Sequence, residues 1–165
     1  MVRIFVVYDS GPDDYEHLMA ELVAEGVREV YDAEPVVRRV NNVKLPEIIK
    51  GDGLIIGGPD KGALMSWRLK KFMDDFEAYG YVLTNKVGGS FCCTKPGSEE
   101  EAIASMMITM MIRKMIFVSP DYKFGRIGAF AYGEPKTKWE KELCRSLGRK
   151  VAKVAKIITL GKEML

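Results

Sequence analysis

A doubly wound α/β sheet, with five parallel strands and helices on both faces, is the fold class this sequence predicts. Three observations carry that expectation. Short apolar runs alternate five times with stretches of helical period along the 165 residues. The run Leu54-Ile55-Ile56 is apolar on consecutive residues, which asks for cover on both strand faces, as in a parallel sheet. The segments that follow the runs are short and rich in Gly, Pro, Asp, Ser or Thr, the residues of tight strand-to-helix turns.

In chain order, the first strand is expected from Val2 to Tyr8. A helix from about Asp14 to Val30 follows, with Leu18, Met19, Leu22, Val23, Val27 and Val30 facing inward. Strand two runs from Pro35 to Val40, ahead of a connector holding Leu45, Ile48 and Ile49. Strand three is Leu54 to Ile56, broken by Gly57, Gly58 and Pro59, with a small-residue loop to Leu64. From Met65 the period becomes helical, placing Met65, Leu69, Phe72, Met73 and Phe76 on one face. Strand four spans Lys86 to Cys93, and its helix opens at Ser98, where Ser98 and Glu101 have capping-box spacing. Strand five is Met115 to Val118, followed by a loop with Gly125, Gly128 and Gly133. The last helix begins near Thr137, with Thr137 and Glu140 as a second capping box, and buries Leu143, Leu147, Val151, Val154 and Ile158.

Length and composition narrow the function. A chain of 165 residues fits one domain that buries about two-thirds of its unfolded surface. Apolar residues at 47% and charged residues at 29% rule out wholesale disorder. A net charge of +2 is too small to make nucleic acid or an anionic membrane the main partner. No apolar run approaches the ~20 residues of a membrane span and no signal-peptide pattern is visible, so a cytoplasmic protein is expected. Cys92, Cys93 and Cys144 match no zinc spacing and read as buried or idle thiols. His17 is the single histidine, which removes Ser-His-Asp and Cys-His mechanisms and multi-histidine metal sites.

Three loops leave the carboxyl ends of strands one, three and four: Asp9 to Tyr15, Gly57 to Leu64 and Cys93 to Gly97. On one rim of the sheet they would flank a flat ligand. The residues that carry a family likeness lie in and around them. They are Val7-Tyr8-Asp9-Ser10, Met19-Ala20-Glu21-Leu22-Val23-Ala24-Glu25-Gly26, Gly57-Gly58-Pro59 with Met65-Ser66-Trp67, Lys71-Phe72-Met73-Asp74-Asp75, Phe91-Cys92-Cys93-Thr94, and Gly133-Glu134-Pro135. With these the chain resembles the flavodoxin-like family. It is most similar to flavodoxins and NAD(P)H:quinone oxidoreductases of the tryptophan-repressor-binding-protein type.

The resemblance implies the flavodoxin-like sheet, a bound FMN, and a redox partner or NAD(P)H and a quinone as reactants. It also implies a homo-oligomeric habit. By position, the phosphate loop would be Ser10, Gly11, Pro12, Asp13, Asp14 and Tyr15. The ring would lie between Pro59, Asp60, Lys61, Gly62, Ala63 and Leu64 on one side and Cys93, Thr94, Lys95, Pro96 and Gly97 on the other.

The phosphate loop departs from the family's hydroxyl-and-glycine pattern. Pro12 has no N–H to give, and Asp13, Asp14 and Glu16 set carboxylates where a dianionic phosphate would rest. Asp13 and Asp14 could already cap the helix N-terminus. Two functions are therefore expected to compete: an FMN-dependent electron carrier or reductase, and a flavodoxin-like domain that has lost tight FMN binding and serves as an interaction module. A receiver-like phosphoacceptor built from Asp9, Asp60, Thr94 and Lys123 with Mg²⁺ is a third, weaker fit, since Asp60 follows Pro59 instead of ending the strand. The stripe Met106, Met107, Met110 and Met111 reads as core packing or as a subunit interface.

Overall fold

The computed structural model of the chain describes residues 1–123, 125–162 and 164. β1 (Val2–Tyr8) lies inside a parallel sheet because its residues are apolar on both faces. Ile4, Val6 and Tyr8 point to one side, and Phe5 and Val7 to the other. α1 (Tyr15–Arg28) returns the chain to β2 (Ala33–Arg39), which pairs with β1 from Val2 opposite Ala33 to Tyr8 opposite Arg39. A short 3₁₀ turn at Val40–Asn42 and α2 (Leu45–Ile48) lead to β3 (Gly53–Pro59) on the other flank of β1. α3 (Trp67–Ala78), β4 (Val87–Thr94) and α4 (Glu99–Ile112) continue outward. β5 (Ile116–Phe117), β6 (Ala129–Tyr132) and α5 (Lys138–Lys162) complete the order.

The sheet runs β2-β1-β3-β4-β5, with β6 also paired to β4, and every pairing is parallel. Winding reverses between β1 and β3, so the connections after these strands leave to opposite faces and a crevice opens at their carboxyl ends.

Each face has its own core. α1 and α5 cover Ile4, Val6, Ile55 and Phe91, while α3 and α4 cover Phe5, Val7, Leu54 and Ile56. α1 and α5 meet at backbone distance. A Cβ on Gly26 would lie 1.9 Å from the Arg145 carbonyl oxygen, and one on Gly148 would lie 2.0 Å from that of Val23. Only glycine fits at either position.

Several boundaries differ from the sequence expectation. β3 does not end at Ile56 but runs through Gly57 and Gly58 to Pro59. Gly57 leaves room for the Phe91 ring, which would stand 2.2 Å from a Cβ there, and Pro59 is the final residue of the strand. The fifth strand is split. Ile116–Phe117 pairs with the start of β4, and Ala129–Tyr132, expected as loop, pairs with its end. Leu18 is 43% exposed instead of facing inward. Met106 and Met110 are core residues, as the packing reading expects, whereas Met111 is exposed. Among the described residues no helix is long and apolar enough to cross a membrane.

Candidate functional site

The carboxyl ends of β1, β3, β4 and β6 open into a cleft of about 560 Å³. The first loop enters it through Gly11, Pro12 and Asp13, with Tyr15 and Glu16 from the start of α1. Pro59, Asp60, Lys61 and Gly62 form one wall; Cys93, Thr94, Lys95 and Pro96 form the other. Tyr132, the last residue of β6, and Gly133 after it close the far side.

Asp60 fastens the two walls together. Its Oδ1 accepts the Ala63 N–H at 2.8 Å, holding a turn in which Ala63 takes φ 67°. Its Oδ2 accepts the hydroxyls of Thr94, on the other wall, at 3.0 Å and of Ser98, at the start of α4, at 2.7 Å. This explains why the expected capping box at Ser98 does not form. The Ser98 hydroxyl is spent on Asp60 and makes no cap bond, and Glu99 instead accepts the Gly97 N–H at 3.0 Å. With its carboxylate occupied in this way, Asp60 serves as a loop fastener. Asp9 is likewise engaged, buried at 3% exposure with Arg68 3.8 Å away.

The first loop is shaped by carboxylates. Glu16, 3% exposed, accepts the Gly11 N–H at 3.1 Å and so folds the loop back over the start of α1. Burial pushes its carboxyl above the ordinary range, and the charges of Asp14 and Asp9 push the same way. Asp14 is in the left-handed region at φ 55° and makes no side-chain cap bond; its carboxylate accepts the Ser10 hydroxyl instead. The expectation that Asp14 caps α1 is therefore corrected: the left-handed backbone turns its side chain toward Ser10.

Cys93 donates to the Gly133 carbonyl at 3.5 Å, and burial together with the Glu16 charge pushes its thiol up to about 11. That thiol is not an activated nucleophile. Burial likewise pushes Cys144 up to about 12.

Of the residues expected at the site, Gly11, Pro12, Asp13, Tyr15, Pro59 to Gly62 and Cys93 to Pro96 line the cleft. Ser10 and Leu64 line a neighbouring groove; Asp14 and Ala63 support their own loops; Gly97 borders a small hollow with Glu99, Glu100 and Glu101. Tyr132, outside the expected site residues, joins the cleft because it ends a strand where the sequence predicts a loop. The alternation Ala129-Phe130-Ala131-Tyr132 between Gly128 and Gly133 was the available signal.

The residues fit a flavin at one end better than at the other. Between the two walls the lining carries Pro59, Gly62, Pro96 and the cations Lys61 and Lys95, with Asp60 already engaged. At the phosphate end the Ser10 hydroxyl is taken by Asp14, Pro12 lacks a donor, and the charges are negative.

No protein-family model matches the chain. A flavodoxin from Aquifex aeolicus is 32% identical over 174 residues, which takes in 100% of this chain and 93% of that protein. An NAD(P)H dehydrogenase (quinone) from Geobacter sulfurreducens is 29% identical, with 81% of each chain covered. Among solved structures, a WrbA-like flavodoxin from Agrobacterium tumefaciens superposes with a TM-score of 0.76 at 26% identity, covering 94% of this chain and 98% of the other. An archaeal flavodoxin gives 0.78 at 22% identity over 94% of this chain and 99% of that one, a likeness of fold. The strand order, the rim of carboxyl-end loops and an end-to-end relative at 32% identity agree: the chain belongs to the flavodoxin-like family of electron-transfer flavoproteins and quinone reductases.

Proposed function

We propose that this chain binds FMN in the rim cleft and moves electrons through it, as an NAD(P)H-linked reductase of quinones or flavins or as a carrier. The observation that carries this reading is the pair of walls held in register by Asp60. A planar ring needs two walls held together, and a carboxylate shared between them does this. A bound flavin would supply the one- and two-electron chemistry, and the protein would bind and orient it. Lys61 and Lys95 place cations on opposite walls, where they favour a ring that gains negative charge. A quinone is named by relatives of the Geobacter type, and that reactant is carried to this chain as part of the proposal.

Titrating the purified protein with FMN, followed by flavin absorbance and fluorescence, tests the reading. Saturation near one FMN per chain, with quenched fluorescence, is expected. A colourless protein that neither quenches nor retains added FMN would overturn it. Consumption of NADH or NADPH with a quinone then separates reductase from carrier.

A second reading, a flavodoxin-like domain without tight FMN binding, is favoured by one observation. The phosphate loop offers Asp13, Asp14 and Glu16 where an anion would sit, and its one aliphatic hydroxyl, on Ser10, is internally bonded.

A further inference from the structure

Beside the ring cleft lies a larger groove of about 1040 Å³, between the loop after β3 and the facing sides of α3 and α4. Leu64, Met65, Trp67, Ile108 and Ile112 line it. Four of these are large apolar side chains left exposed, with Trp67 at 67% and Ile112 at 65%. A contiguous apolar surface of this kind marks a place where something binds. α4 points the same way. Ala102, Ile103, Met106 and Met110 enter the core, yet Ile108, Met111 and Ile112 on its outer side are apolar too. Beyond its acidic first turn, this helix is apolar on its outer side as well as its inner one, and an apolar outer side calls for cover.

The charges show what kind of ligand fits. Arg68 is paired with Asp9 at 3.8 Å and lies 4.7 Å over the Trp67 ring; Lys70 is paired with Asp74 at 2.6 Å. Neither leaves charge to spare. Lys61 differs, since among the described residues no ion pair engages its ammonium. It stands at the junction: Gly11, Pro12, Pro59 and Lys61 line both the groove and the ring cleft. The combined cavity therefore grades from a junction bearing an unpaired cation to a trough rich in apolar side chains whose charges, on Asp9, Arg68 and Lys70, are paired.

We propose that the groove holds the long apolar chain of a ring substrate whose carbonyl-bearing head reaches Lys61 at the mouth of the ring cleft. The ligand class is a tailed quinone, and the head's destination rests on the reading of the cleft as a quinone-reducing flavin site. The tail lies along Leu64, Trp67, Ile108 and Ile112. Lys61 donates to a head oxygen and stabilises the negative charge that this oxygen gains on reduction. Each tail methylene taken out of water is worth up to roughly fourfold in affinity, so a partly buried chain separates tailed from untailed heads decisively.

Trp67 lines the groove, whereas the other tryptophan, Trp139, packs against the core on the opposite face of the sheet. Emission of the flavin-free protein is titrated with a decyl-substituted benzoquinone and with its methyl-substituted counterpart, in the W139F background that isolates Trp67. At least tenfold tighter binding of the decyl compound is expected. That preference should collapse in Ile108→Asp and in Ile112→Asp, both at exposed positions, while the methyl compound is unaffected. Equal affinity for the two compounds, or a preference that survives both substitutions, overturns the proposal. So does sedimentation showing a dimer whose Trp67 emission shifts to the blue with concentration, because a second copy then fills the groove. The FMN titration reports on the cleft alone, so failure of the flavin reading would leave the tail preference intact and separately visible.

Discussion

Asp13 and Asp14 are two residues with a cofactor's affinity at stake. A unit charge pair about 4 Å apart at an effective dielectric near 20 is worth ~4 kcal/mol, enough to offset several phosphate hydrogen bonds. Replacing them together, D13T with D14G, removes two like charges and frees the Ser10 hydroxyl that Asp14 now holds. FMN affinity should rise at least tenfold, while riboflavin, which has no phosphate, should bind the doubly substituted and parent proteins alike. Equal gains for both flavins would mean that the substitution remodels the ring walls instead. The acidic loop was legible in the sequence, but not the direction of its side chains. The left-handed backbone at Asp14 and the fold-back of Glu16 onto Gly11 arise from three-dimensional closure of the loop. Asp60 shows the same limit. Its place in the second loop was evident, but the two hydroxyls it holds come from residues 34 and 38 positions further on.

Among the elements, α1 and α5 depend most on a close approach. Gly148→Ala puts a Cβ 2.0 Å from a backbone oxygen that no rotamer change can move. The helices must separate, at a cost of about 3 kcal/mol, or roughly 6–12 °C in melting temperature. Gly161→Ala in the same helix meets nothing within 4 Å and should instead gain some tenths of a kcal/mol up to about 1. Paired thermal melts read both signs. The elements that the sequence announced best were those whose period and end signals agree. The Thr137–Glu140 box forms as expected, with the Thr137 N–H donated to Glu140 at 3.0 Å and the Glu140 N–H to Thr137 Oγ1 at 3.2 Å. Where signals conflict, packing decides. Gly57 and Gly58 read as a strand break, yet β3 needs them to admit Phe91 and Leu69. β6 has four residues and no long apolar run, so local pattern alone does not separate it from a loop.

For the molecule as a whole, two buried carboxylates set opposite responses to pH. Burial pushes Glu140 up, but hydrogen bonds from Thr137, Tyr132 and Lys136 outweigh it and hold the group below its ordinary 4.5. Its folded pKa is depressed, so its stabilisation is full above 4.5 and is lost as pH falls through the folded value. Glu16 has the opposite sign: its folded pKa is raised, so stability declines as pH climbs from 4.5 toward the folded value. Urea unfolding across acid pH should show E140Q less stable by about 2 kcal/mol at pH 7 with a flatter acid limb; an unchanged limb would mean that other groups drive acid unfolding. The split fifth strand has a consequence at this scale as well. A sheet edge with a long row of unpaired amides invites another chain to add to it. Here one edge is made of fragments two and four residues long, so neither offers a template of useful length. The opposite edge, β2, carries Pro35 and the exposed Arg38 and Arg39. Both margins thus resist lateral growth into fibrils, which leaves the carboxyl-end rim free to stay open.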